Sequence, residues 1–190
     1  MYYWFLVQKE LPMVTVFNPI KRGGLRRLTL GEVHLATTLY GFSIRYNKVW
    51  IHRGSYLPFN LQAERYAMTP NGELYFQEDT YKHDFSMAPV HSQHMFLHEM
   101  MHVYQHQRGM WVRTRGAFSW TVNYQYTLDK ERLADYPMEQ QACIVSDYWL
   151  LIHHGFYGNN SFHHLEGYHP SKPVKQLMVN YQRILTGFPA

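Results

Sequence analysis

The sequence predicts one globular domain that combines helices with short strands. Its 190 residues are enough for one hydrophobic core and short for two. With 46% hydrophobic and 17% charged residues, the chain can bury enough apolar surface to fold, which excludes a disordered segment. Long helical stretches follow segments of strand-like alternation, and no linker, repeat or low-complexity run divides them. We therefore expect a single domain over residues 1–190.

The first elements are an arm and a helix. Residues 1–28 contain short apolar runs broken by prolines and by Gly23–Gly24, which predicts an irregular arm or an edge strand. Thr29 and Glu32 fit a capping box, in which each side chain satisfies a free backbone donor of the first turn. The apolar residues that follow predict a helix that ends at Gly41.

Short strands are predicted next. From Ser43 to His52, apolar and polar residues alternate on both sides of Asn47–Lys48, as in a strand or a hairpin with one buried face. The turn residues Thr69–Gly72 precede Leu74–Phe76, a further predicted strand.

Three helices are predicted in the second half of the chain. Residues 91–108 contain no glycine or proline and are apolar on most sides, which indicates a buried helix of about five turns. A second long helix is expected over residues 137–152 because proline suits the first helical position. Residues 153–190 form a histidine-rich tail and end in an amphipathic stretch over residues 174–185.

The predicted buried helix contains His98-Glu99-Met100-Met101-His102, an H-E-x-x-H motif. Histidines four residues apart project from one face of a helix and can bind the same zinc ion. The intervening Glu99 is placed to take a proton from a water molecule that zinc has made acidic. The apolar flanks support this interpretation, since two unliganded histidines and a carboxylate are costly to bury. We predict a zinc site with Glu99 as the general base.

A catalytic zinc site requires a third protein ligand and one open position. We predict Glu139, in the first turn of the second long helix, because Ala142 and Cys143 give that helix a small-residue face that allows close approach. Extended forms of the motif would need glycine and histidine where the chain has Gln105 and Arg108. Weaker candidates for this ligand are Asp129, Glu131, Asp135, Asp147, His153, His154, His163, His164 and His169.

Two further roles stay open at this level. An oxyanion-stabilising donor could come from Tyr136, Tyr168 or His169, but tyrosines are so frequent that the role stays unassigned. His94 and His106 lie one turn to either side of the histidine pair. We interpret them as hydrogen-bonding partners rather than as ligands of a second metal ion.

Composition limits the classes of partner. The basic cluster Lys21, Arg22, Arg26 and Arg27 is interpreted as a solvated segment, so we expect no nucleic-acid partner. Cys143 is the only cysteine, which excludes an internal disulfide. The apolar start, residues 2–7, is too short for a signal sequence or a membrane span, so we expect no membrane insertion and, if the protein is exported, another route.

Four stretches resemble the zinc metallopeptidase domains of bacterial type VI secretion toxins, which are fused to VgrG or Rhs-type proteins or encoded beside them. Together they span about residues 28–152. They are Leu97–Gln107, the segment from Leu30–Glu32 through Tyr40–Gly41, Ala67–Phe76, and Asp135–Ala142 with Asp147–Tyr148.

The resemblance implies a compact α+β zincin, with a small sheet packed on the active-site helix and Glu139 completing the zinc site. Glu73–Phe76 would be an edge strand along which a peptide could lie extended. The resemblance also implies an antibacterial role, delivery by a secretion spike component of the VgrG or PAAR type without a signal peptide, and an immunity protein as partner. The periplasm of the target bacterium is the favoured compartment over the cytoplasm.

Two other functions remain open from the sequence. The same zinc chemistry would cleave a peptidoglycan amide, and only the shape of the cleft would differ. Alternatively, the domain binds zinc structurally, or binds a partner through its aromatic surface, without turnover. A structural zinc site would require a fourth protein ligand, which the tail residues 163–169 could supply. We predict a peptidase that acts on a protein or peptide substrate.

Overall fold

A computed structural model describes residues 20–57, 62, 67–110, 123–156, 164–169 and 173–189. Residues 1–19, most of the predicted arm, therefore lie outside the described residues, as does His163. The described part contains helices and short strands, in agreement with the predicted α+β class. In chain order these elements are β1 (Leu25–Arg27), α1 (Leu30–Tyr40), β2 (Trp50–Arg53), β3 (Leu74–Phe76), α2 (Val90–Gln107), α3 (Met138–His154) and α4 (Val174–Ile184).

The predicted capping box at the start of α1 is present. The Thr29 hydroxyl accepts a hydrogen bond from the Glu32 backbone N–H at 3.0 Å, and the Glu32 carboxylate accepts one from Thr29 N–H at 2.9 Å. Glu32 is fully buried and also binds the Arg26 guanidinium at 2.7 Å and the Phe85 backbone N–H at 2.9 Å. One paired carboxylate thus connects β1, α1 and the segment that leads into α2.

The three strands form a mixed sheet in the order β1-β2-β3. β1 pairs antiparallel with β2, and β2 pairs parallel with β3. The hairpin prediction for Ser43–His52 is wrong in its first half, because Tyr46–Lys48 forms a turn of 3-10 helix. Ile44 and Val49 are buried on either side of this turn, so the apolar alternation reflected burial rather than strand pairing.

The outer edge of β3 is covered at its centre. Met68 N–H donates to Tyr75 C=O at 3.1 Å, and Tyr75 N–H donates to Met68 C=O at 2.9 Å. The expectation that Glu73–Phe76 is an open edge strand is therefore wrong at Tyr75, because the backbone N–H and C=O of Tyr75 are both already paired with Met68. The segment around Met68 lies outermost at this position.

Helix α2 lies inside the fold. It contributes Phe96, Leu97, Met100 and Val103 to the core, and the hydroxyl of Tyr40 donates to its Leu97 carbonyl at 2.7 Å. Helix α3 packs along α2, and α4 covers α3. The predicted helices agree with the observed bounds to within one or two residues, and Pro137 precedes α3 instead of opening it.

The turn before β3 is pressed against α2. Gly72 has a φ of 79°, and its α-carbon faces the His106 ring so closely that no side chain could fit there. Thr69, three residues before Gly72, lies over the middle of α2, where its hydroxyl contacts Glu99. No helix in the described ranges is long and apolar enough to cross a membrane.

Candidate metal centre

Helices α2 and α3 face each other through a ladder of polar side chains. On each helix the three side chains are four residues apart, so they lie along one face. The pairs that meet are His94 with Asp147, His98 with Cys143, and His102 with Glu139. From one pair to the next, the residue number increases along α2 and decreases along α3, so the two helices are antiparallel. The H-E-x-x-H motif thus faces the predicted third ligand.

One nitrogen each of His98 and His102 and one carboxylate oxygen of Glu139 lie within 4.8 Å of one another. The Glu139 oxygen is 3.1 Å from His102 Nε2 and 3.5 Å from His98 Nε2. A tetrahedral zinc ion with bonds of about 2.0–2.2 Å holds its ligand atoms about 3.3–3.6 Å apart. The three residues could therefore hold a metal ion after only small movements.

The electrostatics of the cluster suit a cation. Burial alone would lower the pKa of His102, but the facing carboxylate of Glu139 offsets this effect and raises the pKa from 6.5 to about 9. Burial would likewise raise the pKa of Glu139, yet His102 and His98 bring it well below its ordinary value. Both shifts favour an imidazolium facing a carboxylate when no metal is bound, and a metal ion would compete with the imidazolium proton.

Glu99 is buried beside His98 and His102, and the described residues give its carboxylate one hydrogen bond. The hydroxyl of Thr69 donates to Glu99 Oε2 at 2.6 Å, and both residues are almost inaccessible to solvent. In the described part of the chain no hydrogen bond reaches Oε1. The carboxylate therefore keeps one oxygen free for a water molecule or a substrate.

The domain is similar to a known structure over most of its length. The effector domain of Pseudomonas aeruginosa VgrG2b aligns with a TM-score of 0.63 and 33% sequence identity, over 80% of this chain and 89% of that domain. The chain belongs to the VgrG2b effector-domain family.

The type VI secretion system spike protein VgrG2b of Pseudomonas aeruginosa is 39% identical over 133 residues, which is 66% of this chain. The chain spans only 13% of the length of that spike protein. No protein-family model matches the chain. Likeness to the VgrG2b effector domain thus extends far beyond the H-E-x-x-H motif, whereas most of the spike protein has no counterpart here.

Beside the metal cluster, this member of the VgrG2b effector-domain family has a buried polar network around Asp147. The carboxylate binds His94 Nε2 at 2.7 Å and accepts hydrogen bonds from the Tyr126 hydroxyl at 2.9 Å and the His164 backbone N–H at 2.8 Å. The Tyr126 hydroxyl also meets that of Tyr181 on α4. His94 is therefore a hydrogen-bonding partner, as expected.

The other proposed ligands that the structure describes lie outside the metal cluster. Asp147 is occupied by its network, and Asp135 pairs with Arg132. His153 and His154 pack against Trp149 at the end of α3. The described residues contain no second group that could hold a metal ion, so His106, which lies against Gly72, has no such role there.

The oxyanion donor stays unassigned. The Tyr136 hydroxyl accepts the backbone N–H of Lys130 at 3.0 Å, and the ring of Tyr168 packs edge-on against Phe156. A tyrosine that sequence reasoning did not select, Tyr124, lies beside the cluster, with its ring centroid 6.3 Å from that of His98. Because the sequence has 16 tyrosines, nothing in it distinguished Tyr124 from the others.

Sequence reasoning also missed two other side chains that touch the cluster, Thr69 and Gln105. The Thr69 contact joins residues 30 positions apart, so no local pattern predicts it. Gln105 was noted only because it occupies the glycine position of an extended motif. Its place three residues after His102, on the same face of α2, could have indicated a partner for that imidazole.

Proposed function

We propose that the chain is a zinc-dependent metallopeptidase that acts as a type VI secretion effector. The main support is that one ligand atom each of His98, His102 and Glu139 lies within 4.8 Å of the others. Glu99, directly after His98 on the same helix, is buried and held by Thr69. Two imidazoles and one carboxylate from three side chains match the ligand set of catalytic zinc, which leaves a fourth position for water. The side chains of His98 and Glu139 are 14% and 16% exposed, so the cluster opens to solvent on one side.

Zinc bound to these three ligands would supply Lewis acidity, which lowers the pKa of water and polarises a carbonyl group. Glu99 accepts one proton from the attacking water through its free oxygen, Oε1, while Thr69 holds Oε2. The water oxygen bonds to the carbonyl carbon, and the C–N bond of the peptide breaks. Glu99 then delivers its proton to the departing amine nitrogen.

The biological setting is proposed from the family. VgrG2b is named as a spike protein of type VI secretion, and this chain corresponds to its effector domain. We propose delivery by a secretion spike component into target bacteria, where the enzyme is antibacterial, with the periplasm as the expected compartment. An immunity protein would protect the producing cell from the enzyme.

The test combines metal content with turnover. We expect one zinc ion per wild-type chain by elemental analysis, and strongly reduced occupancy in Glu139→Ala, which removes one of three ligands. Glu99→Ala should retain zinc and the fold, yet lose casein hydrolysis by at least about a hundredfold, since it removes the base but no ligand.

The controls separate the rival functions. Purified peptidoglycan is digested in parallel, and cleavage of the cell wall without cleavage of casein would assign an amidase or cell-wall peptidase instead. Zinc bound without turnover of either substrate would indicate a binding domain. Full activity of Glu99→Ala would contradict the mechanism.

A further inference from the structure

A buried carboxamide joins the two helices that carry the metal cluster. Gln105, on α2, is fully buried. Its Oε1 lies 2.8 Å from Nδ1 of His102, and its Nε2 donates to the Met138 carbonyl at 3.0 Å and to Gln141 Oε1 at 3.1 Å. Of these partners, His102 belongs to the metal cluster, and Met138 and Gln141 flank Glu139 on α3.

The orientation of this amide follows from its partners. Met138 C=O can only accept, so the NH₂ group of Gln105 must face it and its oxygen must face His102. Gln141 in turn donates its own Nε2 to the Tyr136 carbonyl at 2.7 Å, which leaves Gln141 Oε1 as the acceptor for Gln105. Reversing either amide would oppose donor to donor or acceptor to acceptor.

An oxygen at Nδ1 requires that Nδ1 carries a hydrogen. The neutral imidazole of His102 then has its lone pair on Nε2, the atom that faces Glu139. This is the tautomer that can bind a metal ion at the cluster.

The same side chain also acts on the other helix. Met138 precedes Glu139 directly, and no side chain caps the start of α3 at Pro137. The bond from Gln105 to the Met138 carbonyl therefore fixes the backbone next to the third ligand. A preorganised site loses less conformational entropy when it binds its ion.

We infer that Gln105 is a positioning residue, which sets the tautomer of His102 and the placement of Glu139 for metal binding. The inference rests on the metal site of the proposed function but not on peptidase activity. Partners that orient metal-binding histidines typically change metal affinity by about 10- to 100-fold when they are removed.

The first test compares two identical substitutions on one helix. Gln105→Leu removes the three bonds at the cluster, whereas Gln93→Leu removes two bonds from Gln93 Nε2 to the Ser86 and Ala88 carbonyls, away from the metal. Zinc affinity is measured by competition with a chelating dye. We expect about 10- to 100-fold weaker binding in Gln105→Leu and wild-type binding in Gln93→Leu.

The second test requires no variant and so does not depend on folding of Gln105→Leu. In a long-range ¹H–¹⁵N spectrum of zinc-loaded wild-type protein, the ring of His102 should show a proton on Nδ1 and the metal on Nε2. A proton on Nε2, or metal bound at Nδ1, would overturn the inference.

The outcomes separate this inference from the proposed function. Wild-type zinc affinity in a folded Gln105→Leu overturns the inference and leaves the metallopeptidase intact. Zinc binding that weakens as expected, in a protein without peptidase activity, supports the inference and refutes the proposed function. Absence of zinc from the wild type refutes both.

Discussion

Thr69 shows how one hydroxyl can select the reactive oxygen of a base. It donates to Oε2 of Glu99, and both side chains are buried, so the carboxylate cannot rotate freely without losing that bond. A base acts well when its free oxygen is held within reach of the proton that it removes. Thr69 is therefore expected to act on turnover and not on metal binding.

Thr69→Val tests this separation, because valine retains the shape of threonine and lacks the hydroxyl. We expect kcat for casein to fall about tenfold with KM and zinc content unchanged, since only the orientation of Glu99 is lost. Thr37→Val is the matched control, as its hydroxyl also makes one bond, to the His34 carbonyl on an exposed face of α1. Loss of zinc from Thr69→Val would instead show that Thr69 supports the metal site.

At the same scale, local spacing was sufficient to propose His98, Glu99 and His102, because a helix places residues i and i+4 on one face. Glu139 followed from its position at the start of a helix with a small-residue face. The spacing of Gln105 from His102 could have indicated their contact, but the bonds of Gln105 to Met138 and Gln141 on α3 could not be predicted from sequence, because they join residues more than thirty positions apart.

At the level of elements, the facing pairs between α2 and α3 differ in how many hydrogen-bond partners they have. Asp147 is completely buried and receives three partners, His94, Tyr126 and the His164 backbone. Burial, with the nearby carboxylate, raises the pKa of Tyr126 well above its usual range, so its phenol remains a donor. This network fixes α3 against α2 and the segment that carries Tyr124.

Asp147→Asn should therefore destabilise the fold. Asparagine has the same shape but no charge and one acceptor oxygen fewer, so its NH₂ group either faces a buried donor or requires His94 to change tautomer and accept a neutral hydrogen bond. We expect the free energy of unfolding to fall by about 2–4 kcal/mol in urea titrations. Asp79→Asn, at an exposed position, is the control and should leave stability within about 0.5 kcal/mol of wild type. Equal stability of both variants would show that the network contributes little.

Helices were predictable here and strands were less so, for a physical reason. The capping box of Thr29 and Glu32 and the glycine and proline borders of the long helices are local signals. Strand β2, in contrast, depends on β1 and β3, which are distant in sequence. The alternation that begins at Ile44 was compatible with burial in either a strand or a turn, and the pairing partners decided between them.

At the scale of the whole molecule, the metal cluster joins helices separated by about thirty residues, so an ion bound there should stabilise the entire fold. The effect depends on pH. In the metal-free protein, burial lowers and Glu139 raises the pKa of His102, with a net increase from 6.5 to about 9. Because the pKa of His102 is higher in the folded protein, protonated His102 stabilises the fold fully below about pH 6.5. This contribution is lost as the pH rises through about 9.

We therefore expect the difference in Tm between zinc-loaded and chelator-stripped protein to widen as pH rises from about 6.5 to about 9. Zinc competes with the proton at His102, and the stripped protein loses its imidazolium–carboxylate pair over the same interval. Thermal melts at constant free zinc measure the difference, and titrating groups outside the metal cluster cancel because both forms share them. A difference that narrows with rising pH would contradict the assigned pair.

Helix α2 lies so deep in the domain that its central residues cannot unfold locally. Residues 99–105 are all buried, and seven consecutive positions cover every face of a helix. Such a segment cannot unwind by itself, since each turn is covered by a neighbour on every side. Its amide hydrogens should exchange with solvent only when the whole domain unfolds. The part of the site that this segment carries, Glu99 and His102, should then persist for as long as the fold does.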